Sequence, residues 1–89
     1  MGLRRNVQAS QHFHAAAYRA PEGYARRHWG YGERLPSAYF ARNYWIMDYS
    51  LYALLAPPEG LVWVRVGDDV MLIDRYTGEI IQVDYGYFE

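Results

Sequence analysis

The stretch that decides the fold is residues 57–74, which read PPEGLVWVRVGDDVMLID. The two prolines exclude helical geometry from the residues before them, and a run rich in β-branched residues lies on each side of Gly67-Asp68. Glycine at the first central position is what a two-residue type II′ hairpin loop requires. The sequence therefore predicts a β-hairpin whose directly opposed pairs are Val66 with Asp69, Val64 with Met71, and Val62 with Ile73.

The predicted hairpin carries apolar side chains on both faces. With a two-residue loop, one face holds Val62, Val64, Val66, Met71 and Ile73, and the other holds Trp63, Val70 and Leu72 together with Arg65. We therefore expect one face to be covered and the other to be at least partly covered. A three-residue loop that includes Asp69 would exchange the faces of the second strand, and the sequence does not decide between the two loops.

The segment before the hairpin carries sequence signals for both helix and strand. Pro36 or Ser37 can begin a short helical turn over residues 37–41, and the bulky run at 43–47 predicts a strand. Asp48 is a favourable N-cap for a helix over residues 49–55. Three leucines of that segment fall at helical spacing and form an apolar stripe, namely Leu51, Leu54 and Leu55.

After the hairpin, Thr77-Gly78 predicts a second reversal, with Gly78 in the left-handed conformation. Residues 79–84 then form the returning strand, and the aromatic-rich tail at 85–89 either extends it or frays. The predicted fold class is α+β: a small antiparallel meander of three strands plus an earlier strand, with one or two short helices on one face. This compact domain is expected to span residues 31–89.

Residues 1–30 differ from the rest of the chain. Polar residues are interleaved there with alanines and aromatics, no apolar stripe repeats, and Pro21-Glu22-Gly23 interrupts any helix. We interpret residues 1–30 as a mobile polar arm. Its positively charged start has no apolar core behind it, so it is not an intact signal peptide.

Composition limits the classes of function. The 89 residues have a net charge of −1 and no cysteine, which leaves no disulfide or thiolate chemistry and argues against a polyanion held by bulk charge. No stretch is long enough to cross a bilayer. Arginines and aromatic residues alternate in the arm, as in single-strand nucleic-acid binders, but the acidic folded part would repel phosphate, so we expect no nucleic-acid partner.

Candidate catalytic residues are few. The non-tyrosine hydroxyls lie where helical turns or loops are predicted, and local backbone bonding explains them. Asp68-Asp69 lies at a hairpin tip, where solvated turn residues are common, and no glycine-rich phosphate loop is present. We therefore expect a protein that is not an enzyme.

The sequence supports metal binding better than it supports catalysis. His12 and His14 are two residues apart, which places both imidazoles on one side of an extended segment, and His28 becomes a third ligand if the arm folds back. Imidazole suits nickel, cobalt and copper. The alternative is that all three histidines are simply solvated. Any binding at His12, His14 and His28 is expected to be weak and pH-dependent.

Several short motifs along residues 31–84 occur in a characteristic order. They are GERLP at 32–36, LAPPEG at 55–60, WVRVGDD at 63–69 and TGEI at 77–80. In this order and spacing the chain resembles the RcnB family, small bacterial periplasmic proteins associated with nickel and cobalt homeostasis. Members carry a cleaved signal peptide and a variable polar linker ahead of this domain.

The resemblance implies a non-enzymatic periplasmic accessory protein that acts through contact with metal or with a membrane exporter, its signal peptide having been removed. The alternative is an envelope interaction or structural module with no metal role. The matching motif positions imply structural roles in turns, helix stops and the core. They are Arg34, Leu35, Pro36, Pro58, Gly60, Trp63, Arg65, Gly67 and Gly78.

Overall fold

A four-stranded mixed sheet is the centre of the computed structural model, which describes residues 5–24 and 27–89. The strands are β1 (Asn6–Gln8), β2 (Leu61–Val66), β3 (Asp69–Asp74) and β4 (Ile80–Tyr85), in the order β1-β4-β3-β2. Strands β2, β3 and β4 form the predicted antiparallel meander, while β1 pairs with β4 in parallel. The meander is confirmed, and the parallel strand makes the sheet mixed.

The β2–β3 hairpin has the two-residue loop and the register that the sequence predicts. Val66 lies opposite Asp69, and Val64 lies opposite Met71. Gly67 has a φ of 62° while Asp68 has no positive φ, which fits a type II′ turn. The three-residue loop is thereby excluded.

Both faces of the sheet are covered. The first face includes Val64 and Ile73 and packs against Trp29, Leu35 and Tyr39. The second face is made by Trp63, Val70 and Leu72, and it packs against Ile46, Tyr87 and Phe88. These two faces contain the residues expected from the hairpin register.

The predicted helix over residues 49–55 and the predicted strand over residues 43–47 are wrong, whereas the short helical turn predicted over residues 37–41 is present as the 3₁₀ turn Ser37–Phe40. The described residues contain three isolated 3₁₀ turns and no α-helix; the turns are Ser37–Phe40, Arg42–Tyr44 and Ser50–Tyr52. Residues 43–47 are not a strand, because their pairing with β2 is a single bridge between Trp45 and Val64. The fourth strand of the sheet is β1 instead.

The segment 49–55 shows why a helix does not form there. Ala53 adopts the left-handed conformation at φ 55°, and Leu54 N–H donates to Tyr49 O at 2.8 Å, which closes the turn. Leu51 and Leu55 are exposed, and only Leu54 packs against the second face. So short a helix is marginal by itself, and without a docked stripe it has little to stabilise it.

Parts of the predicted arm contact the sheet. Beyond β1, Phe13 forms a bridge with Phe88, and Trp29 is buried on the first face. The first four residues of the arm, with residues 25 and 26, lie outside the described residues. The mobility of residues 1–30 stays a prediction.

Asp74 organises the reversal between β3 and β4. Its Oδ1 accepts the backbone N–H groups of Tyr76 and Thr77 at 2.8 and 3.0 Å. These two bonds hold the pKa of Asp74 below its ordinary value. Because the folded-state pKa is the lower one, the carboxylate adds stability above its unfolded pKa and loses it as the pH falls through the folded pKa.

We expect Asp74→Asn to lose less thermal stability than the wild type as the pH falls below about 4. The amide oxygen of asparagine can still accept both N–H groups but does not titrate. Thermal unfolding followed by circular dichroism across acidic pH measures the difference. Identical pH profiles for the two proteins would show that Asp74 contributes nothing to acid sensitivity.

Candidate functional site

Polar groups converge at the tip of the β2–β3 hairpin. We name the group formed by His28, Asp68, Asp69 and Gly86 the hairpin-tip cluster. Arg65 helps to fix the tip, since its Nε donates to Gly67 O at 2.8 Å and its guanidinium also donates to Ala16 O at 2.6 Å. The cluster therefore lies at a hairpin end that Arg65 ties to the hairpin loop and to residue 16.

Asp69 is the buried member of the hairpin-tip cluster. It starts β3, and only 8% of its surface is exposed. Its Oδ1 accepts the backbone N–H of Gly86 at 2.9 Å, and its Oδ2 lies 3.9 Å from His28 Nδ1. Burial raises the pKa of Asp69 and outweighs the Gly86 bond and the nearby His28, which act in the other direction, while Asp68 raises the pKa further.

Two open clefts border the cluster. One, of about 240 Å³, is lined by both aspartates, His28, Arg27 and two tyrosines among others. The second, of about 360 Å³, shares His28, Asp68 and Asp69 and extends to Tyr85 and Gly86. Both clefts therefore open beside the exposed His28 and Asp68 and next to the largely buried Asp69.

The three predicted histidine ligands lie in different surroundings. His28 faces Asp69, and His14 is exposed. His12 Nδ1 lies 2.5 Å from Gly86 O; because a carbonyl can only accept, Nδ1 of the neutral ring carries the proton and Nε2 keeps its lone pair. His12 therefore contacts Gly86, whose N–H is bound by Asp69, and His28 faces the same Asp69.

The structure does not gather the three histidines into one ligand set. Over residues 5–24 and 27–89, no group of three or more His, Asp or Glu side chains is arranged to hold a metal ion. Metal binding by His12, His14 and His28 together stays a prediction.

The motif positions of the early segment lie at close backbone contacts. Arg34 forms a bridge with Glu79, and Leu35 is buried with its N–H donating to Gly78 O at 2.9 Å. Pro36 precedes the first 3₁₀ turn. These contacts join the segment before the hairpin to the β3–β4 turn.

The motif positions of the hairpin lie in turns and in the core. Leu61 N–H donates to Pro58 O across the turn that contains Gly60, and Trp63 Nε1 donates to Leu55 O at 2.8 Å. Gly67 occupies the hairpin loop. These motif positions therefore have structural roles, and Arg65 and Gly67 shape the hairpin end that carries Asp68 and Asp69.

Sequence reasoning missed the pairing of Asp69 with His28, because it assigned Asp68-Asp69 to a solvated turn. One signal was present: the hairpin register already placed Asp69 opposite Val66, at the end of the covered first face. No local pattern shows that His28 and Gly86 reach the same place. Their approach depends on contacts between distant parts of the chain.

The fold and the cluster define a small sheet domain with a carboxylate–imidazole surface site. A sequence model of the RcnB family, described as nickel/cobalt transporter regulator, matches residues 32–82, more than half of the chain. The chain belongs to the RcnB family, as its motifs indicated. The matched segment contains β2, β3, the first half of β4 and the hairpin tip, while His28 and Gly86 lie outside it.

Comparison with solved structures supports the fold. A structure whose name states no function matches with a TM-score of 0.59 and 26% identity, over 71% of this chain and 78% of that chain. No curated protein matches significantly. Among the described residues, no helix has the length and apolar character needed to cross a membrane.

Proposed function

We propose that this protein is a non-enzymatic accessory protein of nickel and cobalt homeostasis in the bacterial periplasm, where it modulates a membrane exporter. The observation that carries the proposal is membership of a family described as nickel/cobalt transporter regulators. The periplasmic assignment follows the family resemblance, because members carry a cleaved signal peptide ahead of this domain.

The hairpin-tip cluster offers a physical means for such a role. A carboxylate and an imidazole are ligands that suit divalent first-row metals, and both stand beside open clefts. The protein can regulate export either by binding metal or by binding the exporter. The hairpin-tip cluster favours metal binding.

A cellular experiment tests the proposal. Deleting the gene is expected to change cellular nickel and cobalt content, measured by mass spectrometry, in cells that have the exporter and not in cells that lack it. Crosslinking in the periplasm should recover the exporter with the protein. Unchanged metal content in both backgrounds, without recovery of an exporter, would refute the role.

A second candidate function is an envelope interaction module with no metal role. It is favoured by three exposed apolar residues of the segment 47–55: Met47 at 58%, Leu51 at 64% and Leu55 at 83% exposure. A contiguous apolar surface patch marks a contact site, and we infer that these three exposed side chains contribute to one. A stable homodimer that persists with a metal chelator and dissociates in Leu51→Asp, measured by light scattering, would favour this function.

A further inference from the structure

We propose that the cleft beside Arg65 binds a small carboxylate that carries an aromatic or other flat apolar group. The cleft lies between residues 17–19 and residues 43–46, and its volume is about 310 Å³, at the lower end of the range for small-molecule sites. None of the four residues of the hairpin-tip cluster lines it. Binding in this cleft goes beyond the proposed role in metal homeostasis.

The charge of the cleft is positive. Arg19 and Arg65 line it together with Asn43, and no acidic residue of the part of the chain that the structure describes does so. The chain as a whole has ten acidic residues and a net charge of −1, so the cleft is a local exception. Within residues 5–24 and 27–89, no carboxylate lies within 4.0 Å of either guanidinium. An anion that enters the cleft therefore meets two cations without an ion-pair partner there.

The guanidinium of Arg65 is held in a fixed orientation. Its Nε donates to Gly67 O and its Nη1 donates to Ala16 O, and the rings of Phe88 and Tyr18 have their centroids 4.9 and 5.7 Å from its central carbon. Nη2 donates to no described residue, although a guanidinium carries five N–H donors. A carboxylate accepts such N–H groups in the plane of the fork. It would also supply the opposite charge that this half-buried cation lacks.

The walls of the cleft are aromatic. The aromatic residues that line it are Tyr18, Tyr44 and Trp45. The Tyr44 hydroxyl donates to Arg19 O at 2.6 Å, and Trp45 Nε1 donates to Phe40 O at 2.9 Å. The first of these bonds joins the two sides of the cleft, and both hold a ring in place before a ligand arrives. A flat apolar group can therefore stack on these rings while its carboxylate reaches the guanidinium, and a site formed in advance loses little freedom on binding.

The test is a titration of the full chain with sodium benzoate, followed by amide NMR. We expect saturable chemical-shift changes centred on residues 17–19, 43–46 and 65. Benzamide has the same ring without the charge, and acetate has the charge without the ring. Each should bind about tenfold more weakly than benzoate, because each lacks one of the two groups that the cleft recognises.

Three variants locate the anchor. Arg65→Gln should weaken benzoate binding about tenfold or more, because the charged fork of donors is lost. Arg19→Gln changes an exposed side chain and should weaken binding about threefold. Arg34→Gln is the matched control: it makes the same change of charge at an exposed arginine that does not line the cleft, and it should bind benzoate as the wild type does.

If Arg65→Gln does not fold, as shown by collapsed amide dispersion, the comparison of Arg19→Gln with Arg34→Gln decides. Equal binding of benzoate and benzamide, shift changes centred outside the cleft, or no saturable change at millimolar benzoate would overturn the site. Binding of a glutamate-rich peptide at these residues without binding of benzoate would also overturn it, because the cleft would then serve a protein partner.

Discussion

Gly78→Ala is expected to lower the free energy of unfolding by about 3 kcal/mol or more. Gly78 has a φ of 84°, where an L side chain is strained, and a Cβ there would lie 2.5 Å from Leu35 O and 2.7 Å from Phe40 Cε1. The obstacle is partly backbone, so it cannot rotate away. For a chain of this size, whose total stability is of the order of 10 kcal/mol, the loss is severe.

Gly60→Ala is the matched control. Gly60 has the same φ of 84°, but a Cβ there would meet nothing within 4 Å. It should therefore show the conformational penalty alone, about 1 kcal/mol. Urea denaturation of the two variants measures both values, and equal losses would show that the close approach of Leu35 to Gly78 is unimportant.

Phe88→Ala is expected to cost about 3–4 kcal/mol. The side chain is only 3% exposed and meets Tyr52 and Tyr87 edge-on, with ring centroids 5.4 and 5.6 Å away. Its N–H also donates to Asp68 O at 2.8 Å. The residues after β4 therefore cover the second face of the sheet, and truncating Phe88 opens a cavity over Val70 and Leu72.

Leu55→Ala is the control for Phe88→Ala. It removes a large apolar side chain that is already in water, so its effect should stay within about 0.5 kcal/mol. Chemical denaturation compares the two variants, and amide hydrogen exchange reports whether residues 85–88 are protected. A loss below about 1 kcal/mol for Phe88→Ala, with rapid exchange there, would mean that this segment frays.

The hairpin was predictable because local signals agree. Gly67 selects the loop, the loop sets the register, and the register assigns Val64 and Trp63 to opposite faces. A helix at 49–55 was predicted because three leucines fall at helical spacing. That pattern did not reveal the left-handed Ala53 or the fact that only Leu54 finds a surface to cover.

The contacts that distant segments make were not predictable. Strand β1 has a single apolar residue, Val7, and its pairing depends on a partner at the other end of the chain. The same holds for the candidate site: Asp69 could be placed on the covered face from its register, but nothing in the sequence near His28 indicates that it reaches Asp69. Whether His28 reaches Asp69 depends on how the whole chain folds.

The parallel pairing of β1 with β4 also constrains the order of folding. Asn6 lies opposite Val83, so the first of the four strands pairs with the last. The β2–β3 hairpin can form from neighbouring residues, whereas β1 must pair with a strand far away in the sequence, which makes its pairing slower. During vectorial synthesis or translocation, one edge of β4 stays open until that late step, and a chaperone that recognises unpaired strands would have its target there.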